Sequence, residues 1–254
     1  EDAPKTLLLI KDASGEPVRW LEGGQSRGFH RTTWDLRFPA PDPISLSIPG
    51  FRPPWAGTPQ GPLVAPGMYS VELYVLNNGK LETQGSVQEF IVKPIPALEG
   101  RDFEETFSFH KELNDLSREM NSAGSSLGEA SNRLRHIEAA LVQTSTLAPE
   151  LFKQLAALTR QQAELTTQLY GDRIRRSKDI SVEPAIAGRL NHVLYGLSET
   201  SLPPTQTHRA NVDLASQGFE QFKISLQDFW SELEKYETQV QQAGAPYTPG
   251  QKLR

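Results

Sequence analysis

The residues best suited to proton transfer or metal ligation are five histidines, His30, His110, His136, His192 and His208. They are scattered across the chain. No pair has the i,i+4 spacing that sets two ligands on one helix face, and no H-E-x-x-H occurs. His208 falls on the phase of a predicted helix seam, where a core or capping role is expected. Cysteine is absent, which excludes disulfides and thiolate metal sites but leaves the compartment open. There is no G-x-S-x-G elbow, glycine-rich phosphate loop or EF-hand pattern. A hydrolytic carboxylate pair would need a cleft holding its members roughly 5–9 Å apart. Nothing in the pattern marks one, and Asp42, Glu104 and Glu105 read as solvated. No catalytic residue, metal ligand or cofactor site is assigned.

Other side chains suit recognition better than turnover. "GFHRTTWDLRFPAP" (Gly28 to Pro41) reads as a strand that breaks into prolines. In an extended strand Trp34 and Leu36 point one way and Asp35 and Arg37 the other. The first pair is expected in a core. Asp35 and Arg37, with Arg31, are candidates for an outward polar contact, as a surface ion pair or as caps for the following loop. From Pro39 to Pro66, nine of 28 residues are proline, so the segment is neither strand nor helix. It carries Phe51 and Trp55. Three readings of this loop stay open: a floppy surface loop, a packed interface, or an aromatic platform for sugar. The densest basic cluster is Arg173, Arg175, Arg176 and Lys178, flanked by Asp172 and Asp179. It reads as a solvated connector or as a docking patch for an acidic partner.

The elements that must position these residues divide into two halves. Up to about Lys93 the apolar period is two. "TLLLIKD" and "EPVRWLEG" flank the turn Ala13-Ser14-Gly15. "GFHRTTWDL" follows. "MYSVELYVL" and "SVQEFIV" flank Asn77-Asn78-Gly79, whose Asn-Gly pair is a strong hairpin signal. Six or seven short strands predict a small antiparallel sandwich over 1–95, with the proline-rich loop at 39–66.

From about Arg101 the period becomes heptad. Phe109, Leu113, Leu116, Met120, Ala123, Leu127, Ala130, Leu134, Ile137 and Leu141 keep their phase through Gly124 and Gly128. That favours one helix over 103–144; two helices with a turn near Gly124 is the alternative. Pro149 opens a second helix with stripe Leu151, Leu155, Leu158, Leu165 and Leu169, ended by Gly171. A shorter helix is expected at 184–199. A last long one, capped near Thr205, spans 205–242 with seam Val212, Ala215, Phe219, Phe222, Leu226, Phe229, Leu233, Tyr236 and Val240. At ~1.5 Å per residue the two long helices run on the order of 55–60 Å each. The expected domain, 101–243, is an antiparallel bundle three helices thick, its middle leg broken near 172–183, with a flexible tail at 244–254.

The segments "IKDASGEPVRWLEG", "GFHRTTWDLRFP" and "GPLVAPGMYSVELYV" together resemble the domain that follows the propeller in bacterial sortilin-like, BNR-repeat glycosyl hydrolases. The matching positions are Asp12, Gly15, Val18, Arg19, Gly28, Arg31, Trp34, Asp35, Leu36, Arg37, Gly61, Val64, Pro66, Gly67, Tyr69, Val71 and Leu73. The module is also similar to the Ig-like domain of flagellar hook-capping proteins. The resemblance is specific in the first ~95 residues and weaker in "PPTQTHRANVDLASQGFEQF". It implies an Ig/fibronectin-III-like sandwich followed by a helical region, and places the propeller, with any catalytic residues, outside this sequence.

A net charge of −5 excludes a nucleic-acid binder driven by phosphate contacts. No apolar run approaches the ~20 residues of a membrane span. The chain begins without methionine and almost inside a strand, so it is expected to be the C-terminal part of a longer, exported, extracytoplasmic protein. The expected role is a non-catalytic accessory region. It would brace the upstream propeller of the same polypeptide, with homodimerisation or a protein partner engaged through the helices. Two alternatives stay open. The loop 39–66 completes a glycan-binding or hydrolysing site of that propeller, or the chain is a subunit of a cell-surface or secretion assembly with no sugar chemistry.

Overall fold

The computed structural model describes residues 3–46, 51, 53, 55, 57–98, 103–145, 148–198, 200 and 202–251. The expected boundary at 101, the helix end at 199 and the tail residues 252–254 lie outside them. The chain divides into two compact units, Glu1–Pro41 with Leu46–Asp115, and Asp42–Ser45 with Leu116–Arg254.

In the first unit β1 (Lys5–Asp12), β2 (Pro17–Glu22), β3 (Gly67–Asn77) and β4 (Lys80–Val92) form one antiparallel sheet in the order β2-β1-β3-β4. Asp12 shapes the first turn: its carboxylate accepts from the Ser14 and Glu16 N–H groups at 2.9 and 3.0 Å. Gly15 there takes φ +88°. At the second hairpin Asn78 and Gly79 take φ +49° and +78°, the paired positive values that a type I′ turn requires. One sheet face buries Ile10, Val18 and Tyr69, joined by Val64 and flanked by Trp34, Phe38, Phe90 and Val92. On the other face the Lys11 ammonium donates to Glu72 at 2.8 Å. The Tyr74 hydroxyl donates to the same carboxylate, and Trp20 stacks edge-on against Tyr74 at 5.2 Å.

The sequence predicts six or seven strands; the described residues hold four. The run 28–36 is not one of them. Leu36 takes φ +58° and is exposed, so the alternation expected of Trp34 and Leu36 breaks after Trp34. What faces the sheet there is a short pairing of two loop segments. Phe38 N–H donates to the Pro62 carbonyl at 2.9 Å, and Val64 N–H to the Leu36 carbonyl at 2.8 Å.

The helices are α1 (Glu104–Leu141), α2 (Pro149–Tyr170), α3 (Arg173–Ser177), α4 (Ile186–Ser198) and α5 (Gln206–Gln242). α1 is continuous through Gly124 and Gly128. A Cβ at Gly124 would collide with the Tyr170 hydroxyl, whereas one at Gly128 meets nothing within 4 Å. Glycine at 124 is therefore a packing choice and not a break.

In the second unit α1 and α5 run parallel. Glu119 with Lys223, Ser126 with Trp230 and Arg133 with Glu237 each join residues 104 positions apart. These pairs recur once per heptad along both helices, as a seam of fixed register demands. α2 and α4 run the other way along α5. Tyr236 donates to the Leu151 carbonyl at 2.8 Å. Further along, Ile186 packs on Gly218, and His208 on Gly196. Phe219, Phe222, Phe229 and Leu233 are fully buried. Truncating one such phenylalanine costs about 3–5 kcal/mol.

Candidate functional site

The residues of Trp34-Asp35-Leu36-Arg37 form a knot held by backbone carbonyls. The Trp34 indole N–H donates to the Arg37 carbonyl at 3.1 Å, closing the turn on itself. Its ring meets Tyr69 and Phe90 edge-on at 5.6 and 6.1 Å. Asp35 accepts from the Arg37 N–H at 3.2 Å and lies 3.6 Å from the Arg19 guanidinium. Arg19 also donates to the Phe38 carbonyl at 3.0 Å. Arg37 reaches across to the Gly61 carbonyl at 2.9 Å. Asp35 and Arg37 thus do not pair side chain to side chain; each fixes backbone, one at the turn and one at the end of the proline-rich loop. Arg31 is exposed and outside this network.

Two parts of the knot, Arg19 and Gly61, stand among the positions of the family resemblance, but sequence reasoning gave neither a role. Arg19, on β2, supplies the cation facing Asp35. Gly61 passes so close to the Phe38 and Pro39 carbonyl oxygens that a Cβ would strike both. A glycine at the close of a proline-rich loop is a signal in itself, since close backbone approach is a standard reason for that residue.

Between the knot's two ends, the loop 39–66 presents large apolar side chains to water. Phe51 is 78% and Trp55 83% exposed, and Ile44 and Leu46 are more exposed still.

The basic cluster sits at the junction of α2 and α4. Asp172 caps α3, accepting from the Ile174 and Arg175 N–H groups at 2.9 and 3.0 Å. Arg176, itself exposed, folds back and donates to the Tyr170 carbonyl, at the end of α2, at 2.8 Å. Arg173, Arg175 and Lys178 are exposed.

No family model, curated protein or solved structure matches this chain.

Its remaining polar chemistry is local. His208 completes a capping box with Thr205: His208 N–H donates to Thr205 Oγ1 at 3.2 Å, and Thr205 N–H to His208 Nδ1 at 3.3 Å. The heptad phase had suggested a core or capping residue there. On α1, Thr106 Oγ1 and His110 Nε2, one turn apart, are buried with no hydrogen-bond partner among the described residues. Burial pushes the His110 imidazole below its ordinary pKa, because the charged form is the costlier one to desolvate. Among the described residues no cluster of three or more His, Asp or Glu is placed to hold a metal ion, and no helix is long and apolar enough to cross a membrane. A surface depression of about 410 Å³ lies along α2, lined by Arg160, Ala163, Glu164, Thr167 and Gln168. All five come from one helix, so it is an open flank and not a cleft.

Proposed function

We propose that this chain is a non-catalytic interaction region of an exported propeller protein related to sortilin-like, BNR-repeat glycosyl hydrolases. The sheet, with the paired segments 36–38 and 62–64 across one face, is read as an Ig-like sandwich that braces the propeller of the same polypeptide. The helices are read as a spacer and docking or dimerisation arm in an extracytoplasmic setting. The observation that carries the reading is the exposure of Phe51 and Trp55 on a loop whose ends are tied by Arg37 to Gly61. Exposed aromatic side chains there offer apolar area to another surface.

The test uses the full-length polypeptide. Phe51→Ala with Trp55→Ala is expected to lower the melting temperature of the upstream propeller while leaving that of the 1–254 chain unchanged. Unaltered propeller melting overturns the bracing role. Hydrolysis of glycosides by 1–254 alone overturns the non-catalytic reading. The same exposed aromatics favour a second reading, a platform on which sugar rings stack; loss of glycan turnover with intact melting would select it.

A further inference from the structure

We infer that the loop 172–184 is a docking surface for an acidic protein segment; this rests on the reading of the helical region as a docking arm and names its partner's chemistry. α2 and α4 form one leg along α5, and the loop's ends meet: a Cβ on Gly171 would lie 3.4 Å from that of Ala185. The chain therefore has no distance to cover between the two helices, yet it leaves the bundle and returns. A compact surface excursion with touching ends is an Ω-loop, a kind of segment frequently kept for function.

The Asp172 cap, the Arg176 bond to the Tyr170 carbonyl and the Ile180 N–H bond to the Arg175 carbonyl at 3.1 Å hold the excursion in one shape. Binding would not have to pay the ordering entropy of a loose loop.

Asp172 is directed at the start of α3, and Glu183 lies 4.0 Å from Arg189 of α4. Asp179 is the one other carboxylate in the excursion. Arg173, Arg175 and Lys178 have no carboxylate partner among the described residues, in a chain whose net charge is −5. Ile174 and Ile180 beside them are 69% and 45% exposed. Guanidinium groups grip carboxylates through paired hydrogen bonds, and the isoleucines add apolar contact. A lipid surface fits less well, since the five-residue α3 has no apolar face to enter the headgroup layer.

The experiment is fluorescence anisotropy of a labelled peptide of alternating glutamate and leucine against the whole 1–254 chain, with phosphatidylserine vesicles as a second arm. The wild type is expected to bind the peptide. The triple change Arg173→Glu, Arg175→Glu, Lys178→Glu weakens binding at least about tenfold, roughly 1.4 kcal/mol. The neutral set Arg173→Gln, Arg175→Gln, Lys178→Gln weakens it less, with circular dichroism unchanged in both. Salt at about 0.5 M weakens the wild type as the reversal does. No peptide binding, equal binding by the charge-reversed chain, or binding to vesicles alone overturns the proposal. Phe51→Ala with Trp55→Ala leaves this binding unchanged, so the result stands or falls apart from the propeller-bracing test.

Discussion

The Arg133 guanidinium forks onto both carboxylate oxygens of Glu237, with Nε to Oε1 at 2.8 Å, and lies over the Trp230 ring at 5.5 Å from its centroid. Trp230 in turn donates to Ser126 at 2.7 Å. One cluster thus ties α1 to α5 by an ion pair, a cation–π contact and a hydrogen bond. Both ion-pair side chains are largely buried, 25% and 16% exposed, so the pair is screened less than a surface one. Arg133→Ala or Glu237→Ala is expected to cost about 1.5–3 kcal/mol in urea unfolding. The double change costs less than the sum, because each single change strands the other charge. Arg133→Lys restores only part, since an ammonium cannot fork or stack as a guanidinium does. Full additivity would show that the two residues act independently.

The two glycines of α1 should answer alanine with opposite signs. At Gly128 a methyl meets open space, and the helix gains up to about 1 kcal/mol. At Gly124 the methyl evicts the Tyr170 hydroxyl end, and the lost packing outweighs the propensity. Melting temperatures are expected in the order Gly128→Ala, wild type, Gly124→Ala. In a Tyr170→Ala background Gly124→Ala becomes stabilising. An equal gain at both sites would mean that Tyr170 does not pack there.

The knot around Trp34 makes a similar contrast. Gly61→Ala drives a methyl into the carbonyl oxygens of Phe38 and Pro39. These are backbone atoms and cannot swing aside, so a loss of about 1–3 kcal/mol is expected. Arg37→Ala frees the Gly61 carbonyl and costs about 1 kcal/mol. Arg31→Ala, on an exposed side chain, stays within about 0.5 kcal/mol. Chemical denaturation of the three variants checks the ranking, and an Arg31 effect as large as that of Gly61 would contradict this account.

The contrast between knot and helices shows what the sequence could reveal. The heptad seams were legible because each helix repeats one local rule over many turns. The expected 205–242 is Gln206–Gln242, and the expected 103–144 is Glu104–Leu141. Asn78-Gly79 was legible because two residues suffice to specify that turn. The stretch Gly28–Leu36 was misread because its threonines and tryptophan favour a strand locally. Long-range bonds override that preference: Val64 N–H to the Leu36 carbonyl, and Arg37 to Gly61. They hold Leu36 at a positive φ that no leucine advertises. Likewise the basic cluster could be seen, but not that Gly171 and Ala185 meet beneath it.

Two buried groups, displaced in opposite senses from their ordinary ranges, shape the pH response at its two ends. Burial lowers the His110 pKa in the fold below 6.5. The unfolded chain then binds the proton first, so stability is full above pH about 6.5 and falls as pH drops toward the depressed folded value. His110→Leu is expected to flatten this acid limb, and since Nε2 has no partner among the described residues it gives up no hydrogen bond. Burial pushes the Tyr236 hydroxyl up to about 12 from 10, while it donates to the Leu151 carbonyl. Here the unfolded chain loses the proton first, so stability is full below pH about 10 and is lost as pH rises toward 12. Tyr236→Phe costs about 1 kcal/mol at neutral pH for the missing bond and shrinks the alkaline limb, to which Tyr69 and Tyr170, raised in the same direction by burial, also contribute. Urea midpoints measured from pH 5 to 11 read both limbs in one series. An acid limb that survives in His110→Leu would move the titration to another group, and an alkaline limb unchanged in Tyr236→Phe would do the same for the phenol.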